Sequence, residues 1–182
     1  ENQTAIGTVI ATDADGDDVT FTVSGSELEI TSAGILTFAT APDYETKSSY
    51  TATITATDGL YAVTQDITVN VTNVNDNSPV ITSDATFTAA ENQTAIGTVI
   101  ATDADGDDVT FTVSGSELEI TSAGVLTFAT APDYETKSSY TATVTASDGT
   151  NTTTQDITVN VTNVNDNSPV ITSDATFTAA EN

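Results

Sequence analysis

Oxygen-bearing side chains recur in short groups along this chain. The groups are DADGDD at residues 13–18, PDYE at 42–45, a lone Asp58 and NVNDNSPV at 73–80, and each returns 90 residues later, apart from one conservative change beside Asp58. Carboxylate and amide oxygens are ligands for hard cations such as Ca²⁺. On its own, each group predicts only a charged turn. DADGDD does not match an EF-hand calcium loop, because Asp18 stands where that loop needs glycine. Together, at a fixed spacing, they are candidate ligands of a metal.

The composition excludes most other chemistry. Among 182 residues there are 27 acidic side chains, two lysines and no histidine or cysteine, and the net charge is −25. Such a chain repels nucleic acid, and it has no Ser-His or Cys-His nucleophile pair, no disulfide and no soft metal site. Carboxylate catalysis would need an enclosed cleft, for which two small units leave little room. We therefore predict a protein that is not an enzyme, and no apolar run is long enough to predict membrane insertion.

The chain is a tandem duplication with a period of 90 residues, and only seven aligned positions differ. Three of them are conservative exchanges between Ile and Val or Thr and Ser. The other four replace the apolar block at residues 60–63 with the polar block at 150–153. We expect this block to be an exposed tip, and two copies this similar to share one task.

Apolar residues alternate with threonine at a period of two, which is typical of half-buried antiparallel strands. The segments 19–23, 50–57 and 67–72 show the pattern most clearly. Shorter runs at 7–12, 28–30, 35–38 and 80–89 bring the number of predicted strands to seven in each copy. Turns of Gly, Asp, Asn and Pro separate them. This count and spacing predict an all-β sandwich with no helix.

The order of the motifs resembles the cadherin repeat, in particular the bacterial cadherin-like modules of large calcium-dependent surface adhesins. Along one copy the order is AEN, DAD, PDYE, an aspartate in A-[TS]-D and NVNDNxP. The resemblance covers both copies and implies tandem seven-stranded Greek-key β-sandwich modules. It also implies Ca²⁺ bound where two modules meet. The implied modules are residues 1–76, lacking the first strand, residues 77–166, and residues 167–182 as the first strand of a following module.

Carried over residue by residue, the resemblance implies one complete junction and two half-junctions. The complete junction would take its ligands from Glu1, Asp43, Glu45, Asn73, Asn75, Asp76, Asn77, Asp103, Asp105 and Asp148. The half-junctions would be Asp13, Asp15 and Asp58 at one end, and Glu91, Asp133, Glu135, Asn163, Asn165, Asp166 and Asn167 at the other. The family usually has aspartate where Asn73 stands. The number of ions per junction, two or three, is therefore left open.

The predicted function is a calcium-stiffened extender repeat of an extracellular, cell-surface adhesin or filament. The alternative is a binding module that acts by cadherin-like homophilic contact or on a glycan. The expected partners are neighbouring identical modules. Residues 170–180 repeat the segment that would form a first strand, so we expect either a crop from a longer array or a head-to-tail polymer made by strand donation.

Overall fold

The computed structural model describes residues 1–179 and 181, and this part of the chain contains strands, turns and loops but no helix. It therefore has no helix suited to crossing a membrane. The fifteen strands of the described residues are β1 (Ala5–Thr8), β2 (Thr20–Val23), β3 (Leu28–Ile30), β4 (Ile35–Phe38), β5 (Ser49–Thr57), β6 (Ala62–Asn70), β7 (Val80–Ile81), β8 (Thr86–Ala90), β9 (Ala95–Thr98), β10 (Ala101–Thr102), β11 (Thr110–Val113), β12 (Leu118–Ile120), β13 (Val125–Phe128), β14 (Ser139–Ser147) and β15 (Thr152–Thr162).

The chain forms two compact units that do not follow the sequence repeat. Unit 1 consists of Glu1–Pro79 together with the loops Thr102–Asp108 and Asp148–Thr152. Unit 2 consists of Val80–Ala101, Val109–Ser147 and Thr153–Asn182. Unit 1 thus includes two acidic loops that belong to the second copy of the sequence.

Unit 1 contains two three-stranded sheets, in the orders β1-β4-β3 and β2-β5-β6. Leu36 of β4 and Ile54 of β5, one from each sheet, belong to the same buried cluster, so the sheets face each other across a core. The predicted alternation is confirmed in β2, where Phe21 is buried and the threonines beside it are exposed. Burial of such side chains stabilises the fold by about 1.5–3 kcal/mol each.

Unit 2 repeats this arrangement with further strands, β7, β8 and β10, and β7 pairs with β10 in a separate two-stranded sheet. Its other two sheets have the orders β12-β13-β9 and β11-β14-β15-β8, and Leu126 and Val144 are fully buried between them.

Strand β8 pairs with β15 in parallel, with Phe87 opposite Val159. The antiparallel prediction concerned the segments 19–23, 50–57 and 67–72, and it is confirmed by the pairing of β2 with β5 and of β5 with β6. No direction was predicted for the segment that contains β8. A parallel neighbour is possible because β8 precedes β15 by most of a module, which leaves room for a crossover.

Several predicted strands have different bounds in the structure. The run at 80–89 is divided into β7 and β8, with bends between them. The strand expected at 7–12 is β1, which begins at Ala5 and ends at Thr8, and the strand expected at 67–72 is β6, Ala62–Asn70. The predictions at 19–23 and 50–57 differ from β2 and β5 by one residue each. The tip at 60–63 is exposed as expected, with Leu60 81% and Tyr61 73% exposed. Its counterpart differs, because Asn151 and Thr153 are half-buried.

Candidate metal centre

Glu1 connects two loops of unit 1 that carry predicted ligands. Its Oε2 accepts a hydrogen bond from the backbone N–H of Tyr44 at 2.6 Å, and its Oε1 accepts one from the N–H of Val74 at 2.9 Å. The PDYE turn and the NVNDN loop are therefore held against one carboxylate. Asn2 follows with φ 61°, a conformation that asparagine tolerates, and its amide donates to Asp76.

Asp105, from the second DADGDD loop, lies against the NVNDN loop. Its Oδ2 accepts hydrogen bonds from the N–H groups of Asp76 at 3.1 Å and Asn77 at 2.8 Å, and its Oδ1 accepts one from Asn77 Nδ2 at 2.8 Å. The side-chain bond from Asn77 is the main reason that the pKa of Asp105 lies below its usual value. Asp105 is therefore held ionised against the loop.

Four carboxylates meet at this point in unit 1. Glu1, Glu45, Asp76 and Asp105 each offer an oxygen, and these oxygens lie within 4.8 Å of one another. Burial, followed by repulsion from Glu1 and Asp105, raises the pKa of Glu45. The spacing fits calcium, whose oxygen ligands lie about 2.3–2.6 Å from the ion, so that two opposed ligands are separated by about twice that distance.

A second group shares Asp105 with the first. Asp103, Asp105 and Asp107 also bring one oxygen each within 4.8 Å of the others. Asp103 Oδ1 accepts from the N–H of Asp105 at 3.0 Å, but Asp103 Oδ2 is buried with no hydrogen-bond partner. A buried carboxylate oxygen without a donor is unfavourable unless a cation lies beside it. The donor set, all of it oxygen, therefore suits a hard divalent cation.

Two members of this site were not predicted. Asp107 had no assigned role, yet its pKa is raised, first by burial and then by repulsion from Asp103 and Asp105. Asn151 was expected at an exposed tip, yet its Nδ2 donates to Asn75 Oδ1 and to the Asn77 carbonyl, both at 2.9 Å. The aspartates at 103, 105 and 107 alternate, which was a usable signal for Asp107. The exchange of Tyr61 for Asn151 was the only sign of the second residue.

Asp148 lies at the edge of the same loop cluster. Its Oδ1 accepts from the N–H groups of Thr150 at 2.7 Å and Asn151 at 2.6 Å. Burial opposes ionisation of this carboxyl, but the donors outweigh it, so the pKa of Asp148 is lowered. Asp148 thus shapes the turn that carries Asn151.

The two remaining predicted ligands of the complete junction make other contacts. Asn73 Nδ2 donates to the Asp105 carbonyl at 2.8 Å, which ties the loops together through the backbone. Asp43 accepts from the Thr46 hydroxyl at 3.0 Å and from its N–H at 3.1 Å, and the hydroxyl contact is the main cause of its lowered pKa. Asp43 is not one of the carboxylates gathered around Asp105.

The half-junction residues of the first copy stay within their own turns. Asp13 Oδ1 accepts from the N–H of Asp15 at 2.8 Å, and Asp58 Oδ1 accepts from those of Leu60 and Tyr61 at 2.7 Å. The Tyr61 bond is the main reason that the pKa of Asp58 is lowered. Among the described residues, no group of three carboxylates forms around them.

Unit 2 gathers part of the other half-junction. Glu91, Asp133 and Glu135 bring oxygens within 4.8 Å of one another, and Glu91 is only 3% exposed. The Glu91 carboxylate accepts from the N–H groups of Tyr134 at 2.7 Å and Val164 at 2.6 Å. Of the other predicted residues, Asn163 donates to Glu135 of this group, and Asp166 accepts hydrogen bonds from Asn167 and from Asn92. Asn165 is exposed.

Comparison with known sequences relates the chain to cadherins. The family model for the bacterial Ig domain matches residues 75–162. Mouse Protocadherin Fat 4 is 40% identical over 142 residues, which is 68% of this chain but 3% of that protein. Human Protocadherin-15 is 32% identical over 187 residues, covering 92% of this chain and 10% of that protein. The chain therefore spans a small part of the length of these relatives.

Solved structures of cadherin repeats have the same fold. Human Protocadherin-24 EC1-2 matches with a TM-score of 0.75 at 20% identity, over 90% of each chain. Mouse Cadherin-23 EC22-24 matches with a TM-score of 0.74 at 23% identity, over 91% of this chain and 62% of that one. These likenesses confirm the predicted Greek-key β-sandwich. Together with the sequence matches, they show that the chain consists of tandem cadherin-like repeat modules.

Proposed function

We propose that the loop cluster of unit 1 binds calcium and that the ions stiffen the connection between successive repeats. The observation that carries the proposal is the meeting of Glu1, Glu45, Asp76 and Asp105. Glu1 and Glu45 belong to the first sequence copy, Asp76 to the linker and Asp105 to the second copy. An ion held by all four would tie the two copies together.

We assign the ions to residues by the position and charge of their side chains. Seven carboxylates line the cluster: Glu1, Glu45, Asp76, Asp103, Asp105, Asp107 and Asp148. Three calcium ions would leave a net charge of about −1 on this set, and two would leave about −3, so the electrostatics favour three. Asn75 and Asn77 can add amide or carbonyl oxygens, which calcium accepts alongside carboxylates.

Without calcium, the seven carboxylates repel one another, and the linker gains freedom as they separate. With calcium, bending would require several metal–oxygen bonds to break together. The proposed task is therefore mechanical: these modules extend an extracellular, cell-surface adhesin or filament, and neighbouring identical modules are their partners. Similarity to protocadherins and the near-identity of the two copies support this role.

The test is small-angle scattering of the whole chain in calcium and in chelator, combined with calorimetric titration. We expect calcium to give a longer, narrower distribution of interatomic distances, with affinity of about 0.1–1 mM. Asp105→Asn should abolish this change, whereas Asp15→Asn, at the equivalent position of the first copy, should leave it intact. Identical scattering of the wild-type chain in calcium and in chelator would refute the stiffening role.

A binding module is the second candidate, favoured by one surface feature. Leu60, Tyr61 and Val63 are 81%, 73% and 69% exposed, which places three apolar side chains together at the tip of the first copy. Exposed apolar groups of this kind often contact partners. Replacing residues 60–63 with the TNTT of the second copy should then lower binding to a glycan array or to cells. Unchanged binding would remove this candidate.

A further inference from the structure

The two sequence copies differ mainly in one short turn. Of the seven aligned positions that differ, five lie within residues 57–63 and the equivalent residues 147–153. Four of these form the variable block, which is LYAV at 60–63 and TNTT at 150–153. The candidate metal ligands, including Asp58 and Asp148 inside these segments, are the same in both copies. Variation is therefore concentrated beside a ligand position and absent from the ligands themselves.

The backbone of this turn is the same in both copies. Asp58 Oδ1 accepts hydrogen bonds from the N–H groups of the first two block residues at 2.7 Å each, and Asp148 Oδ1 accepts the equivalent bonds at 2.7 and 2.6 Å. The glycine after each aspartate has nearly the same left-handed φ, 95° at Gly59 and 96° at Gly149. The exchange therefore changes the side chains that the turn presents and leaves the turn itself intact.

In the second copy this turn lies against the NVNDN linker, and both belong to unit 1. Asn151 is half-buried, and its Nδ2 donates to Asn75 Oδ1 and to the Asn77 carbonyl, both at 2.9 Å. A side-chain amide has two N–H donors, which is enough for both contacts. Asn75 is one of the proposed calcium ligands, so Asn151 fixes the position of a ligand through a contact that needs no ion.

The block of the first copy cannot make the same pair of contacts. Leucine, alanine and valine have no side-chain donor, and tyrosine offers one hydroxyl at the far end of a rigid ring. A tyrosine at position 151 would therefore lose at least one of the two hydrogen bonds. Its ring would also have to fit where a half-buried amide now lies.

We propose that residue 151 determines how firmly this module holds the linker before it, and that the two copies therefore encode two kinds of joint. Asparagine adds two hydrogen bonds to the linker in the absence of metal, whereas tyrosine leaves more of the ordering to calcium. A joint of the tyrosine kind is looser when calcium is low and needs more calcium to stiffen. The variable block thus adjusts the joint while the ligands stay constant.

The effect on calcium binding follows from the order of the metal-free linker, and this step rests on the proposed calcium role. The ions bind the conformation in which Asn75 is in place. A contact that raises the population of that conformation raises the apparent affinity by the same factor. Loss of one ordinary hydrogen bond, or of two partly replaced by water, corresponds to a factor of about five to ten.

The test replaces residues 150–153 of the whole chain with LYAV. In chelator, small-angle scattering should show a broader distribution of interatomic distances than the wild-type chain gives. In saturating calcium the two chains should coincide, and calorimetric titration should give calcium binding weaker by a factor of about five to ten. Asn151→Leu, which removes both donors at a similar side-chain volume, should reproduce these effects.

Two control variants keep the contacts of Asn151. Thr150→Leu combined with Thr152→Ala changes two exposed positions of the same block. The reciprocal exchange puts TNTT at residues 60–63, where Leu60 and Tyr61 are 81% and 73% exposed in this chain. Both variants should match the wild-type chain in scattering and in calcium affinity.

The proposal is overturned if the LYAV variant matches the wild-type chain in chelator, or if the controls show the same effect. It is also overturned if the variant still differs in saturating calcium, because the block would then only shape the turn. The calcium role is tested separately. A wild-type chain that binds no calcium refutes that role, whereas the comparison in chelator tests the contacts of Asn151 on their own.

Discussion

Substituting Asp103 tests whether the loop cluster of unit 1 is a metal centre or only a set of turns. Asp103→Asn keeps one oxygen for the N–H of Asp105 and replaces the other, the buried oxygen without a partner, by an amide. In chelator the amide can donate to the carboxylates of Asp105 or Asp107. We therefore expect the metal-free chain to keep its melting temperature or to gain up to about 3 °C.

In calcium the same substitution should act in the opposite direction. An ion midway between carboxylate oxygens 4.8 Å apart lies about 2.4 Å from each. At that distance its attraction to one carboxylate is about 3.5 kcal/mol, even at the dielectric constant of water. Asparagine retains a carbonyl ligand but loses the charge, so we expect a loss of about 1.4–2.8 kcal/mol, or about tenfold to hundredfold weaker binding.

Asp13→Asn is the matched control for this experiment. Asp13 Oδ1 accepts from the N–H groups of Asp15 at 2.8 Å and Asp17 at 3.4 Å, the same local contacts that Asp103 makes in its own loop. The control therefore repeats any effect on the turn itself. Calorimetric titration with calcium and melting curves in chelator measure both properties. Equal loss of affinity in the two variants, or a lower melting temperature of Asp103→Asn in chelator, would refute the assignment.

Three further predictions concern other parts of the acidic loops. Glu91→Ala should destabilise unit 2 by about 2–3 kcal/mol in chelator, measured by urea unfolding, because two backbone N–H groups lose a buried carboxylate acceptor. Lowering the pH from 7 towards 5 should stabilise the metal-free chain and weaken calcium binding. The raised pKa values of Glu45 and Asp107 mean that, as the pH is lowered, the folded chain takes up protons before the unfolded chain does. Stability therefore rises as the pH falls through those values. A melting temperature that decreases steadily from pH 7 to pH 5 in chelator would contradict this. Asn151→Thr should weaken calcium binding several-fold in calorimetry, because Asn75 loses the donor that orients its side chain. Tighter binding would show instead that the Asn151 amide competes with the ion for the Asn75 oxygen.

The strands and the class of fold follow from local properties of the sequence. Alternation of Phe21 and Val23 with threonine predicts which side chains face the core, because successive side chains of a strand point to opposite faces. The strand predicted from residue 80 does begin there, because β7 starts at Val80, directly after Pro79. The direction of β8 was not predictable in this way, because alternation has the same period in parallel and antiparallel pairs.

The chemistry available to the chain was also determined by sequence alone. With no histidine or cysteine and 27 acidic residues, only oxygen ligands are present in number, and the tandem duplication places them at a period of 90. Composition and spacing do not predict which of these oxygens lie close together in the folded chain.

Only the tertiary structure decided which copy of each motif enters a cluster. The DADGDD loops at 13–18 and 103–108 are identical in sequence, yet only the second is part of unit 1's group of carboxylates. Asp107 and Asn151 join that group, while Asp43 is held in its own turn by Thr46. The physical reason is that a strand pattern depends on neighbours in sequence, whereas a cation site depends on loops far apart in the chain, and identical loops have different surroundings once the chain has folded.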